Sequence, residues 1–152
     1  MRKLILILAV LSVIGFTSCK RNIYREFHEF ENYQWGRFDK ITFKFSVKDD
    51  GTMADIILSV RHLEQFPYDK LPVNIIMTLP SGEERIVEKE ISLKDQQGKF
   101  IGEVAGSYWD VQEVLWKGFF FNKAGEYTIE LENLNPRPAI PYIVDLGLIV
   151  KK

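Results

Sequence analysis

One thiol and two imidazoles are the side chains best suited to nucleophilic, redox or metal chemistry in this chain: Cys19, His28 and His62. A lone cysteine has no internal disulfide partner, so its chemistry is alkylation or pairing with another molecule. The two histidines lack a CxxC, an HExxH or an acidic cluster at ligand spacing, which indicates no metal, and each is expected to be solvated on a strand or loop. Asp49-Asp50-Gly51 holds two acids, but Met53 and Ala54 supply no further oxygen ligands for calcium. A hairpin turn with Gly51 at positive φ is expected there instead. Ser81-Gly82 opens no glycine-rich phosphate loop. Neither a Ser-His-Asp arrangement nor a nucleophile elbow is present. Asp145, in an apolar stretch, is the best candidate for a perturbed carboxylate. Its neighbours alternate around it, so it is read as an outward-facing or hydrogen-bonded acid on the polar face of the last strand. These patterns point to no enzyme, no cofactor and no small-molecule substrate.

The setting of Cys19 gives its thiol a use. Arg2 and Lys3 precede an almost wholly apolar run from Leu4 to Phe16, and Thr17-Ser18 lead into the cysteine. That run is shorter than the ~20 apolar residues a membrane-spanning helix needs, and fits an export signal that is removed. Phe16-Thr17-Ser18-Cys19 looks like the lipobox of bacterial lipoprotein precursors, with Phe16 where Leu is usual. Residues 1–18 are therefore read as a lipoprotein signal peptide, and Cys19 as the lipid attachment site and first mature residue. Each buried methylene is worth about 0.8 kcal/mol, so several acyl chains (palmitate among them) anchor stably where one does not. Lys20-Arg21-Asn22 lacks acidic residues of the kind that look like a surface-export tag, so a periplasm-facing outer-membrane location is expected.

Removing residues 1–18 leaves 134 of the 152 residues, one domain able to bury roughly two thirds of its unfolded surface. Loss of Arg2 and Lys3 takes the basic count from 20 to 18 against 21 acids, a formal charge of −3. That is no nucleic-acid footprint. The 11 Phe, 6 Tyr and 3 Trp supply enough aromatic bulk for a packed core.

Residues 19–35 are read as the lipidated N-terminus and an extended lead-in, with an edge strand as one form of it, and residues 36–152 as the folded domain. Ile41, Phe43, Phe45 and Val47 alternate with polar residues, as in a strand with one buried face. Ile56, Leu58 and Val60 mark a second strand, expected to complete a hairpin with the first. The stretch from Leu63 to Leu71 connects. Val73 to Leu79 and Ile86 to Leu93, the latter with Val87, Ile91 and Leu93 together, form another hairpin around Pro80-Ser81-Gly82. Gly98 and Gly102 bracket Phe100-Ile101, suggesting tight turns or a bulge where sheets meet. Val111, Val114, Leu115 and Trp116 fit a bulged strand or a helical turn, the strand being preferred. Phe119-Phe120-Phe121 reads as a strand covered on both faces. Tyr127, Ile129 and Leu131 alternate; Asn133 to Pro141, with three prolines, reads as loop. Tyr142 to Val150 closes the domain. Seven to eight short strands without a convincing helix give an all-β antiparallel β-sandwich, with a barrel second.

Beyond the lipobox, the chain carries in order Asp39-x-Ile41-x-Phe43, Arg61 at a strand end, Phe66-Pro67-Tyr68-x-x-Leu71, Leu79-Pro80-Ser81-Gly82, Leu93-x-Asp95-x-x-Gly98, Gly102, Gly125-x-Tyr127 and Asp145-Leu146-Gly147-Leu148. These landmarks resemble those of GldH-type gliding-motility lipoproteins of the Bacteroidetes. Phe100 stands where that pattern has tryptophan, and Pro136-Arg137-Pro138 where it has a Met-Arg pair. The resemblance implies a non-enzymatic envelope lipoprotein of the gliding and type IX secretion machinery, with other envelope lipoproteins or motility proteins as partners. Two hypotheses follow: a protein-docking module, or a glycan-binding sandwich. Tyr108 and Trp109, with Trp35 or Trp116, would form the partner or glycan surface.

Overall fold

The computed structural model describes residues 22–152. The signal segment and Cys19 lie outside the described residues. Among the described residues no helix is long and apolar enough to cross a membrane.

The described residues form eleven strands: β1 (Asn22–Glu29), β2 (Gln34–Gly36), β3 (Ile41–Val47), β4 (Thr52–Leu63), β5 (Lys70–Thr78), β6 (Glu84–Ser92), β7 (Glu103–Ala105), β8 (Tyr108–Phe121), β9 (Gly125–Asn133), β10 (Ala139–Pro141) and β11 (Ile143–Lys151). A 3₁₀ turn, Glu31–Tyr33, separates β1 from β2. Two antiparallel sheets, β1-β11-β4-β8-β7 and β3-β9-β5-β6, form the sandwich, and β2 and β10 pair as a small ribbon. Seven of these strands correspond to the expected ones, because β8 unites the two stretches read on either side of Lys117-Gly118. The β4·β8 register shifts around Ile56, so β8 is a bulged strand and not a helical turn. The remaining four include β1, which lies in the expected lead-in and is the edge strand beside β11.

The core follows from alternation. Along β3, Ile41, Phe43, Phe45 and Val47 are buried while the residues between them are exposed. β9 does the same with Tyr127, Ile129 and Leu131. Facing them, β4 and β11 bury Ile56, Leu58, Val60, Leu146, Leu148 and Val150. Aromatic rings fill one end: Tyr127 stacks on Phe45 at 5.8 Å and meets Phe121 edge-on at 4.9 Å, while its hydroxyl donates to the Lys123 carbonyl at 2.8 Å. Such pairs add about 0.5–1.5 kcal/mol each beyond area burial.

Three expectations are corrected. Asp49-Gly51 is a turn with Gly51 at φ 74, but β3 and β4 belong to different sheets, so it crosses the sandwich and closes no hairpin. Alternation fixes which face is buried, and two strands joined by a short turn can satisfy it within one sheet or across two. The Asp50 carboxylate accepts from the Ala124 N–H at 2.6 Å, and Gly51 N–H donates to Phe121 O at 2.8 Å, pinning the crossing to the turn after β8. Second, Phe120 and Val87 are exposed where burial was expected. Phe120 follows the pleat outward between buried Phe119 and Phe121, and Val87 lies on edge strand β6. Third, the proline-rich stretch after β9 ends in β10, a strand too short for any period to show.

Gly147, in register with Phe27 of β1 and Ser59 of β4, holds β1 in place. The Phe27 ring lies flat across it: a Cβ there would come within 2.3 Å of the ring. Gly147→Ala is therefore expected to expel Phe27, cost about 1–3 kcal/mol, and raise amide exchange in β1 before the other strands.

Candidate functional site

β1 carries the chain away from Asn22, and its eight residues span about 25 Å. The end it reaches is far from the Asn22 end of the sandwich, and irregular backbone collects there. Among the described residues, all three non-glycine residues with positive φ, Asn32, Tyr33 and Tyr142, lie at this distal end. Strained backbone persists only where its surroundings hold it, and it gathers at functional sites.

What holds it is a set of buried polar contacts. Trp35 of β2 is fully buried, stacks on Phe30 at 5.8 Å, and donates its indole N–H to Asp39 O at 2.8 Å. Buried Asn133 donates to Trp35 O at 3.1 Å, and its side-chain oxygen accepts from Asn135 N–H at 2.8 Å. Asn135 in turn accepts from Arg137 N–H at 3.0 Å. Two successive asparagine turns thus fix the segment expected to be loop, as such side chains do when they satisfy nearby backbone donors. On this frame Phe38 is 88% exposed, and Tyr33, Leu134 and Tyr142 are also exposed. The Arg37 guanidinium lies 5.7 Å from the Phe38 ring and donates to Pro136 O at 3.3 Å. A concavity of about 380 Å³ nearby is lined by Gln34, Pro67, Tyr68, Arg137, Ala139 and Pro141. Exposed aromatics beside arginine on rigid backbone are the usual composition of protein-binding hot spots.

A charged row crosses the five-stranded sheet at the same end. Register places Glu29, Asp145, Arg61, Asp110 and Glu103 side by side on five successive strands. Arg61 donates to both Asp110 oxygens, at 2.6 and 3.0 Å, and approaches Asp145 at 3.4 Å. One guanidinium therefore serves several acids.

Asp145 lies on the polar face of β11, as read, in register with Arg61, but it is only 3% exposed, which corrects the expectation that it faces solvent. Side chains of the flanking strands close around it, Arg61 of β4 at 3.4 Å and Glu29 of β1 in the adjacent register position, neighbours that alternation within β11 could not reveal. Burial raises its carboxyl above the usual value, with Arg61 pulling it partly back. Its Oδ1 has no hydrogen-bond partner among the described residues. Because the folded carboxyl holds its proton more tightly, this group's stabilisation is full below the unfolded value of 3.8 and lost as pH rises through the folded value. Asp145→Asn is expected to raise the melting temperature by a few degrees at pH 7 and to leave it unchanged at pH 3, as thermal melts would show.

His62 is also corrected: it is fully buried, not solvated. It continues the inward face Ile56-Leu58-Val60, packing against Phe66 at 5.2 Å and Phe100 at 4.8 Å. Its Nδ1 lies 2.9 Å from Leu63 O. Burial lowers its pKa, so its contribution to stability is present above 6.5 and lost as pH falls below that value. His28 is exposed.

Tyr108 and Trp109 are both half-buried, and as neighbours on β8 they point to opposite faces. Arg61 lies 5.9 Å from the Tyr108 ring, whereas Trp109 packs 5.7 Å from Phe100 on the His62 side. The structure does not bring them together with Trp35, which is buried, or with Trp116, which lies toward the other end of β8 against Phe119. Phe38 and Tyr33 were missed as surface residues, since they fall outside any strand or helix period, and Tyr142, read as the first residue of the apolar face of the last strand, is instead an exposed turn residue at φ 65 just before β11.

A family model described as GldH lipoprotein matches residues 22–150. No curated protein matches. Among solved structures, dimeric latent PorU from Porphyromonas gingivalis is similar over 91% of this chain and 14% of its own, at 8% identity and a TM-score of 0.38. The VP2 subviral particle protein of infectious bursal disease virus is similar over 91% of this chain and 36% of its own, at 10% identity and 0.35. TmCBM61, solved with β-1,4-galactotriose, is similar over 76% and 63%, at 13% identity and 0.26. This chain thus spans a minor part of the first two, and likeness at these scores bears on neither partner nor ligand.

Proposed function

As the chain belongs to the GldH lipoprotein family, we propose that it is a non-catalytic component of the gliding-motility and type IX secretion machinery, anchored in the outer membrane and facing the periplasm. Acyl chains on Cys19 hold it, and its distal end docks another envelope protein. The observation that carries the docking reading is the rigid distal frame exposing Phe38, Tyr33, Leu134 and Tyr142 beside Arg37. Rigid aromatic anchors lose little entropy on binding, so they favour protein partners.

The test is mild crosslinking in gliding cells followed by purification of the lipoprotein. Co-recovery of other envelope proteins, with colony spreading lost on deletion, is expected. Recovery of the lipoprotein alone, with motility intact on deletion, would end the proposal.

A further inference from the structure

The tether is short. β1 begins at Asn22, three residues after Cys19, and three residues span at most about 10 Å. Given acylation of Cys19, on which this inference rests, the end of the sandwich that carries Asn22 lies against the bilayer surface.

That end has the features of an interface with lipid. Met53 and Phe120 are 60% and 59% exposed and stand opposite each other in the β4·β8 register, on the outer face of the sheet. Gly51 packs beside the Phe120 ring and Gly118 beside the Met53 methyl group, so neither neighbour has a side chain to cover them. Around this apolar pair, the carboxylates of Asp50 and Asp55 are engaged within the fold, whereas exposed Asp49 carries no ion pair among the described residues. Asp50 accepts from Ala124 N–H at 2.6 Å and pairs with Lys123 at 3.4 Å; Asp55 accepts from Gly118 N–H at 2.7 Å. Lys48, Lys117, Lys151 and Lys152 carry no ion pair among the described residues. Lys48 and Lys152 flank a concavity of about 310 Å³ that opens beside Asn22, with Ser46, Asp49 and Thr52. Exposed apolar side chains ringed by unpaired lysines are what an anionic headgroup layer accepts.

We propose that this end docks on the leaflet that holds the Cys19 acyl chains, with Met53 and Phe120 in the interface and the unpaired lysines on lipid phosphates. The domain is then held in one orientation, and the distal end points away from the membrane.

The test uses the full acylated chain in vesicles of phosphatidylethanolamine and phosphatidylglycerol containing spin-labelled lipid. A fluorophore is placed at Phe120→Cys, at Met53→Cys as a second position, and at Phe38→Cys as the distal control; the acylated Cys19 thiol does not compete for label. Spin-labelled lipid is expected to quench the labels at 120 and 53 about twofold, from a depth of roughly 5–10 Å, and to leave the label at 38 unchanged. Acylated protein with no quenching at 120 or 53 would overturn membrane docking alone, as would a crosslinked dimer through these positions, which would show a second copy covering the pair. A mass showing Cys19 without acyl chains would overturn the anchor and this inference together.

Discussion

Trp35→Ala is expected to destabilise the domain by about 3–5 kcal/mol, the cost of removing a large buried aromatic. That is a large share of the roughly 5–15 kcal/mol that stabilises a domain of this size. The indole is fully buried, stacked on Phe30, and hydrogen-bonded to Asp39 O. Its backbone carbonyl accepts from Asn133, which also starts the chain of asparagine turns running to Arg137. The loss therefore falls on both strands of the β2·β10 ribbon and on the turn that presents Phe38. Trp35→Phe keeps most of the bulk but removes the bond to Asp39 and part of the buried ring, so about 1–2 kcal/mol is expected. Denaturant titrations of the two variants separate these outcomes; equal losses would show that the hydrogen bond, and not the buried ring, holds the distal end.

Cys19→Ala is expected to have the largest effect in the cell. On the proposed acylation of Cys19, the variant has no thiol to carry the acyl chains, and the surface pair Met53 and Phe120 offers far too little apolar area to replace them. The variant should move almost wholly to the soluble fraction or persist as an uncleaved precursor, with colony spreading lost. Fractionation with intact-mass measurement reads both. A membrane-bound variant at the normal mature mass would contradict the anchor.

Much of the architecture was legible because burial imposes a period of two. β3, β5 and β9 each show it in unbroken form, and their limits in the structure fall close to those the pattern predicts. The same pattern is silent on which sheet a strand joins, which is why Asp49-Gly51 reads as a hairpin and proves to be a crossing. It is silent also on strands of three residues, so β2, β7 and β10 leave no trace. His62 was within reach: it falls two residues after Val60 on an inward face, and only its polarity argued against burial. Asp145 was not, because its burial depends on side chains of strands distant in sequence that flank β11 in the sheet, Glu29 of β1 and Arg61 of β4. The distal surface was the least legible part. Phe38 and Tyr142 sit among turn residues, where exposure depends on how the buried asparagines and Trp35 arrange the backbone beneath them.

Site-specific photocrosslinking in gliding cells most directly tests whether the distal end is the surface offered to the machinery. A photoreactive residue at position 38 would be compared with one at position 44, where Lys44 is exposed on the flank of β3. Adducts with another envelope protein at position 38, absent at position 44, are the predicted result. Position 38 without adducts, or equal yields at both positions, would contradict it.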